Sequence, residues 1–326
     1  HPNQEPVRQK EENYFFKLSS FEKQLTDLIE KDEYKILPGS RKNEVLGKLK
    51  LGLQDTSVSR ARVSWGIPVP WDKKQTIYVW VEALFNYYTA TQFNDNKNSF
   101  WPADLHIVGK DILWFHAIIW PALLLAAELP LPKTVFAHGF FTINGQKMSK
   151  SLGNVISPEE LVEKYGSDAS RYLLLSEFPF GEDGDFSFDK LTQRYNADLA
   201  NGLGNLVSRV AKLAEQSGLE FPGTDEDHKA DDYHQAMENL DLYNALGIAT
   251  HYVRDHNQYI DQKEPWTLLK EKKTEELKET LEHLVKGLRA TTKLVKPFLP
   301  QTAEKIEKQF SGPRIATGEP LFPRLA

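Results

Sequence analysis

The stretch that most constrains this chain is a strand–helix–strand alternation between residues 105 and 143. Leu105-His106-Ile107-Val108-Gly109 reads as a short apolar strand. Asp111 stands next as a natural N-cap, and residues 112–128 carry a helix that Pro121 is expected to kink. Residues 133–143 read as a second strand, closed by the tight-turn pair Asn144-Gly145. Two strands joined through a helix imply parallel pairing, because a right-handed crossover packs the helix back onto the sheet. Ligands of such sheets sit beyond the carboxyl ends of the strands. Gly109-Lys110-Asp111 and residues 144–151 both fall there.

The rest of the chain divides by pattern. Residues 1–50 are charged and irregular, apart from the apolar island Tyr14-Phe15-Phe16. Pro68 and Pro70 keep 65–70 extended. Residues 76–81 read as a buried strand and 82–91 as a helix. After about residue 190, apolar residues recur at helical spacing over 191–217, 231–261, 264–295 and 298–310. That pattern predicts an all-helical bundle, interrupted by a Gly, Asp and Pro-containing linker at 218–232. The tail at 319–324 is expected to run extended and pack back. The fold class is therefore α/β plus all-α.

A chain of 326 residues has room for two or three domains. With no cysteine, disulfides, thiol catalysis and cysteine-ligated zinc are excluded. The net charge of −6 argues against a whole-surface nucleic-acid binder and leaves room for a local basic patch. The longest strongly apolar stretch, 117–127, is too short to span a bilayer, and no basic-then-apolar leader precedes it, so no membrane partner is expected. A cytoplasmic location is expected; a mitochondrial form fits the same sequence. The chain opens His1-Pro2 without an initiator methionine, which fits a processed, tagged or fragmentary protein.

The sharpest chemical signal is Gln146-Lys147-Met148-Ser149-Lys150-Ser151-Leu152-Gly153, two lysines three apart with hydroxyl residues between glycines. Ammonium groups placed so can follow charge moving onto a pyrophosphate leaving group. A Lys/Ser loop is also a common solvated surface feature. The string KMSKS resembles the second signature of class I aminoacyl-tRNA synthetases, and its surroundings resemble the methionyl-tRNA synthetase family in particular. The matching runs include Tyr78-Val79-Trp80-Val81-Glu82-Ala83, His106 to Asp111, Phe115-His116, Trp120-Pro121, Ala137-His138-Gly139, Asp168 to Tyr172 and Pro320 to Arg324. They fall in family order from about Glu11 onward.

The resemblance implies a two-step reaction. Methionine carboxylate attacks the α-phosphate of ATP, carried as its Mg2+ complex, and a ribose hydroxyl of tRNA-Met then takes the methionyl group. No protein nucleophile is needed; alignment and charge stabilisation suffice. The family implies Lys147 and Lys150 as catalytic and Gly109, Asp111, Lys147, Ser149 and Lys150 as the ATP site; many members carry cysteine zinc knuckles, and with no cysteine no protein-bound zinc is expected in this chain. Asp111 also reads as a plain N-cap. Ile112, His116 and Trp120 share one helix face by spacing, and Trp80, Ala83 and Tyr87 fall at i, i+3 and i+7. Aromatic stripes are usually core, yet aromatic walls with Tyr and His donors also suit a thioether. The family places its methionine pocket at these six positions. Glu82 departs from the family's usual Asp there.

The family's anticodon-binding residues match Asn205 and Arg209, four apart on one helix face, and Trp266 after Pro265. Arg and Asn can read base edges and Trp can stack on an unstacked base; bundle packing would use the same residues. The family's first signature, a His-hydrophobic-Gly-His run, is absent. The resemblance therefore implies a C-terminal portion: a remnant of the connective insertion (1–66), the second half of a Rossmann-like domain (67–145), the KMSKS loop and stem-contact region (146–190) and the helical anticodon domain (191–326). The missing N-terminal half becomes an expected partner, and the chain alone is expected to be inactive. The competing expectations are a tRNA anticodon-binding module, a natural half of a split enzyme, and a class I synthetase for another apolar amino acid.

Overall fold

The computed structural model describes residues 10–93, 99–143, 145–148, 153–223 and 229–325. The chain forms two compact units, residues 1–139 and 140–326. The first opens with β1 (Phe15–Phe16), α1 (Glu22–Glu30), β2 (Lys35–Leu37) and α2 (Gly39–Leu49). The short strands β3 (Thr56–Ser57), β4 (Ser59–Arg60) and β5 (Pro68–Val69) precede β6 (Asp72–Ile77). Helix α3 (Val79–Gln92) leads to β7 (Leu105–Gly109). A 3-10 turn (Lys110–Ile112), a π-turn (Phe115–Ile119), α4 (Trp120–Ala126) and β8 (Thr134–His138) complete the unit.

Strands β2, β8 and β7 form a parallel sheet with β8 in the centre. The expected crossover from β7 through α4 to β8 is present. Leu105 lies opposite Thr134 and Gly109 opposite His138, so both strands end level. Val135 and Ala137 on β8 are fully buried, in one core with Leu25, Ile29, Val45, Leu84, Trp120 and Leu124. No described strand pairs with the outer edge of β7, where Ile107 is 57% exposed.

Five local expectations change, four of them wholly within the first unit. The segment before residue 50 is not irregular: Leu25 and Ile29 bury one face of α1, and Val45 and Leu49 one face of α2. The strand expected at 76–81 ends at Ile77, and Val79, Trp80 and Val81 begin α3. A continuous apolar run carries no period to tell a buried strand from a helix. Asp111 is not an N-cap, because the 3-10 turn starts one residue earlier, with Gly109 in the cap position. Pro121 kinks no continuous α-helix. The helical run widens to a π-turn over Phe115–Ile119 directly before α4, so the missing N–H of Pro121 is met by a change of helix type, with the Tyr34 hydroxyl on the His116 carbonyl oxygen.

The expected strand at 133–143 is two strands, β8 and, in the second unit, β9 (Phe141–Ile143). β9 pairs antiparallel with β10 (Gln146–Lys147). Helix α5 (Pro158–Tyr165) begins in a full capping box of Ser157 and Glu160. Then follow α6 (Ser167–Ser176), β11 (Gly184–Phe186), parallel to β9, and α7 (Phe188–Arg194). A π-helix (Tyr195–Gly204) runs into α8 (Asn205–Ser217). Helices α9 (Asp231–Glu238), α10 (Leu242–Lys263), α11 (Pro265–Lys270), α12 (Thr274–Val295) and α13 (Pro300–Gln309) follow. Leu206, Val210, Leu246, Ile260, Leu281, Leu288 and Ile306 meet in one helical core. The tail packs back as expected: Phe322 is buried, and the Asn196 side chain exchanges two 2.9 Å bonds with the Leu325 backbone.

Candidate functional site

Gly109 and His138 close adjacent parallel strands at the end where such sheets bind ligands. A Cβ on Gly109 would stand 2.6 Å from Asp111 Oδ1 and 3.9 Å from His138 Cε1. Asp111, exposed, thus turns its carboxylate back over Gly109. The structure brings together two of the expected ATP-site residues and adds His138, which spacing did not single out.

The six expected pocket residues do not form one uniform wall. His116 and Trp120 are buried, Trp80 and Ile112 half-buried, and Ala83 and Tyr87 exposed. His116 Nδ1 donates to the Ile112 carbonyl oxygen (3.0 Å), which assigns the ring proton to Nδ1. Nε2 then accepts from the Tyr87 hydroxyl at 2.9 Å. Tyr34, fully buried, donates to the His116 carbonyl oxygen (2.5 Å) and so fixes the π-turn that carries the ring. Trp80 stacks on Phe115, centroids 4.1 Å apart. Trp120 is wholly enclosed and meets Phe85, Tyr87 and Trp101.

His106 was also missed. It is buried, its ring lies 4.4 Å from Tyr87 and 6.1 Å from His116, and burial followed by the His116 charge lowers its pKa to about 4. Burial lowers His116 as well, against its bond to Ile112. Both rings are neutral near pH 7. The side-chain nitrogens Nε1 of Trp101, Nε2 of His106 and Nε1 of Trp120 are buried without a hydrogen-bond partner. In sequence, His106 reads only as a polar residue in an apolar strand.

In the second unit, Lys147 ends β10; its side chain, Ser149 and Lys150 lie outside the described residues. The hairpin ahead of them is held by Asp185. Asp185 Oδ1 accepts from the Gly145 N–H (2.7 Å) and the Thr142 hydroxyl (2.9 Å), and Lys190 stands 3.6 Å from its other oxygen. The Gly145 bond, then that of Thr142, hold the Asp185 carboxyl below the usual range. Gly145 has φ 73°, a conformation that favours glycine.

Asn205, Arg209 and Trp266 do share one face. Arg209 lies 5.5 Å from the Trp266 ring centroid and pairs with Asp261 at 2.6 Å. Asn205 Nδ2 donates to Asn257 Oδ1 at 3.3 Å, and Asn257 donates in turn to the Val253 and Gly202 carbonyl oxygens. Glu264, at φ 43°, reverses the chain between α10 and α11 and leaves Trp266 44% exposed. Among the described residues, no group of three or more His, Asp or Glu could hold a metal ion. Among the described residues, no helix is long and apolar enough to cross a membrane.

The family model described as tRNA synthetases class I (M) matches residues 2–211. The methionine–tRNA ligase of Brucella suis biovar 1 (strain 1330) is 43% identical over 96% of this chain and 67% of its own length. That of Bacillus subtilis (strain 168) is 41% identical over 97% of this chain and 54% of its own. Among solved structures, Mycobacterium tuberculosis methionyl-tRNA synthetase in complex with methionyl-adenylate aligns with TM-score 0.86 and 35% identity, over 96% of this chain and 69% of that one. The chain therefore spans between about half and two thirds of the curated relatives quoted. Its mixed α/β and helical architecture, with the parallel β2–β8–β7 sheet, is a class I synthetase fold. By the family match and by identity that runs through both units, the chain belongs to the methionyl-tRNA synthetase family.

Proposed function

We propose that this chain is the C-terminal portion of a methionine–tRNA ligase. The observation that carries this reading is 43% identity to such a ligase over 96% of the chain, which takes in both the strand-end site and the helical face. In the first step, Gly109 and Asp111 hold the ATP ribose, and Lys147 and Lys150, with Ser149, follow charge onto the departing pyrophosphate. Mg2+ arrives with the ATP phosphates as part of the substrate. Trp80, Ala83, Tyr87, Ile112, His116 and Trp120 receive the methionine side chain. The residue in that pocket that needs rearranging is Tyr87: its proton is committed to His116 Nε2, so a thioether sulfur gains it only if that bond opens.

In the second step the helical unit reads tRNA-Met, with Trp266 stacking on an anticodon base and Asn205 and Arg209 meeting base edges. Asn205 already gives an N–H to Asn257, which leaves its carbonyl oxygen to accept from a base. The first half of the nucleotide-binding domain, with its His-hydrophobic-Gly-His run, would lie in the length that relatives have beyond this chain; the partial coverage of those relatives supports this. The open edge of β7, with exposed Ile107, suits its docking. The domain order, from insertion remnant through stem-contact region to anticodon domain, belongs to this same proposal, as does a cytoplasmic or mitochondrial location.

The test is methionine-dependent ATP–pyrophosphate exchange. The chain alone is expected to give none, and the chain combined with a first half of matched origin is expected to give exchange. A signal from the chain alone would overturn its reading as an inactive portion. Silence from the combination would count against the ligase. A pure anticodon-binding role would leave the two-lysine loop unused. Filter binding separates that role: equal affinity for tRNA-Met and for an anticodon-altered copy removes Asn205, Arg209 and Trp266 from the interface.

A further inference from the structure

The two-lysine stretch of the second unit has one apolar foothold. Met148 is the only apolar residue from Gln146 to Ser151. It is half-buried and packs against the core of the helices. It also lines a cavity of about 150 Å³. Among the described residues, all that line this cavity are apolar. Leu161 of α5, Phe186 of β11 and Leu191 of α7 are its buried walls. Ile156, Leu174 and Met148 are its half-buried ones. Neighbours on a strand point to opposite faces, and β11 uses both. Asp185 holds Gly145 by a hydrogen bond, and Phe186 lines the cavity. The start of the lysine stretch therefore rests on one polar and one apolar support.

The lining decides the chemistry of what fits. An ion or a hydroxyl placed here meets no side chain that can pair with it, and pays for losing water. An uncharged ring meets close van der Waals contact on every wall. A cavity of this volume, walled by Leu, Ile and Phe, takes a molecule the size of benzene. Met148 is also the wall best able to shift for a guest, being unbranched, with three rotatable bonds. We propose that this cavity is a regulatory site for a small uncharged ring compound, and that its occupation shifts Met148 and so alters the hold of Lys147 and Lys150 on pyrophosphate. The binding half stands on the cavity itself; the coupling half rests on the reading of the lysine stretch as the triphosphate site. By reciprocity, pyrophosphate changes the affinity for the ring compound by the same factor.

The chain has two methionines, Met148 and Met237, so isotopic labelling of the methionine methyls gives two magnetic-resonance signals. Met237, half-buried on α9, is not one of the cavity's lining residues and serves as the control. In a benzene titration of the whole chain, the Met148 signal is expected to move and saturate while the Met237 signal stays. Dioxane, a ring of similar size with two acceptor oxygens, is expected to move neither. Pyrophosphate affinity, measured by calorimetry, is expected to differ by about fivefold or more with and without saturating benzene. Leu174→Phe extends a ring into the cavity and is expected to abolish both effects. The wild-type methyl signals decide the site whether or not that variant folds. A silent Met148, equal movement of both methyls, or an equal response to dioxane overturns the site. A saturable Met148 shift with pyrophosphate affinity unchanged overturns the coupling, and the two-lysine reading stands. If pyrophosphate does not bind at all, the coupling and the two-lysine reading fall together, and the Met148 signal still decides the site.

Discussion

His106 and His116 sit side by side in one enclosed aromatic group, and burial keeps both neutral. Folded His106 titrates at about 4, against 6.5 for the free side chain. Between those values the unfolded chain binds the extra proton, so stability is full above about pH 6.5 and is lost as pH falls toward 4. The loss at His106 is on the order of 2 kcal/mol. Urea unfolding at neutral and acid pH measures it: His106→Phe should narrow the difference between the two midpoints. An unchanged difference would mean that other groups carry the acid sensitivity. A second residue-scale prediction concerns Gly109→Ala. The new Cβ meets only the tip of the Asp111 side chain, which can rotate away. Stability should change by less than about 1 kcal/mol, while adenosine binding drops. Thermal unfolding and an adenosine titration separate the two effects. Spacing along the helix led to His116, because an i, i+4 pattern marks a face. It could not lead to His106 or His138, which lie on neighbouring strands and owe their surroundings to β-pairing.

At the scale of elements, α6 holds the turn between α12 and α13. Asp168 Oδ2 accepts from the Thr302 N–H at 2.6 Å, and Arg171 donates to the Pro297 and Phe298 carbonyl oxygens. Helix α13 has no side-chain cap of its own, so a carboxylate from far along the chain supplies one. Asp168→Ala leaves a buried N–H unpaired and should cost about 2 kcal/mol in a chemical-denaturation curve. Asp168→Asn keeps an acceptor and should recover part of it; equal losses in the two variants would exclude the cap. The helices of this unit were legible because their apolar residues recur every three or four positions over long stretches. The element at 79–81 was not, since Val79-Trp80-Val81 is apolar at every position and a helix start there depends on where the β6 ladder stops. The π-turn at Phe115–Ile119 was also hidden. Pro121 signals a disturbance of this helix but not its form; the wide turn goes with the missing N–H of the proline and the Tyr34 bond to the His116 carbonyl, a partner distant in sequence.

At the scale of the molecule, each unit has its own core, and the second joins β9, β10 and β11 to the helices α5 to α13. A polypeptide of residues 140–326 should therefore fold and unfold in one cooperative transition, with helical circular dichroism. A broad, non-cooperative melt would show that its core is completed from elsewhere. The sequence by itself determined the family, the parallel crossover and the helical half. Each is written in local order, as a motif string, an alternation of elements or a helical period. Only the tertiary structure decided that Asp185 holds the hairpin ahead of the lysine loop, that Asp168 caps α13, and that Gly109, Asp111 and His138 surround one point. The physical reason is the same in all three. Each joins groups distant in sequence through a hydrogen bond or a strand register, and such partners are chosen by packing, which no local pattern records.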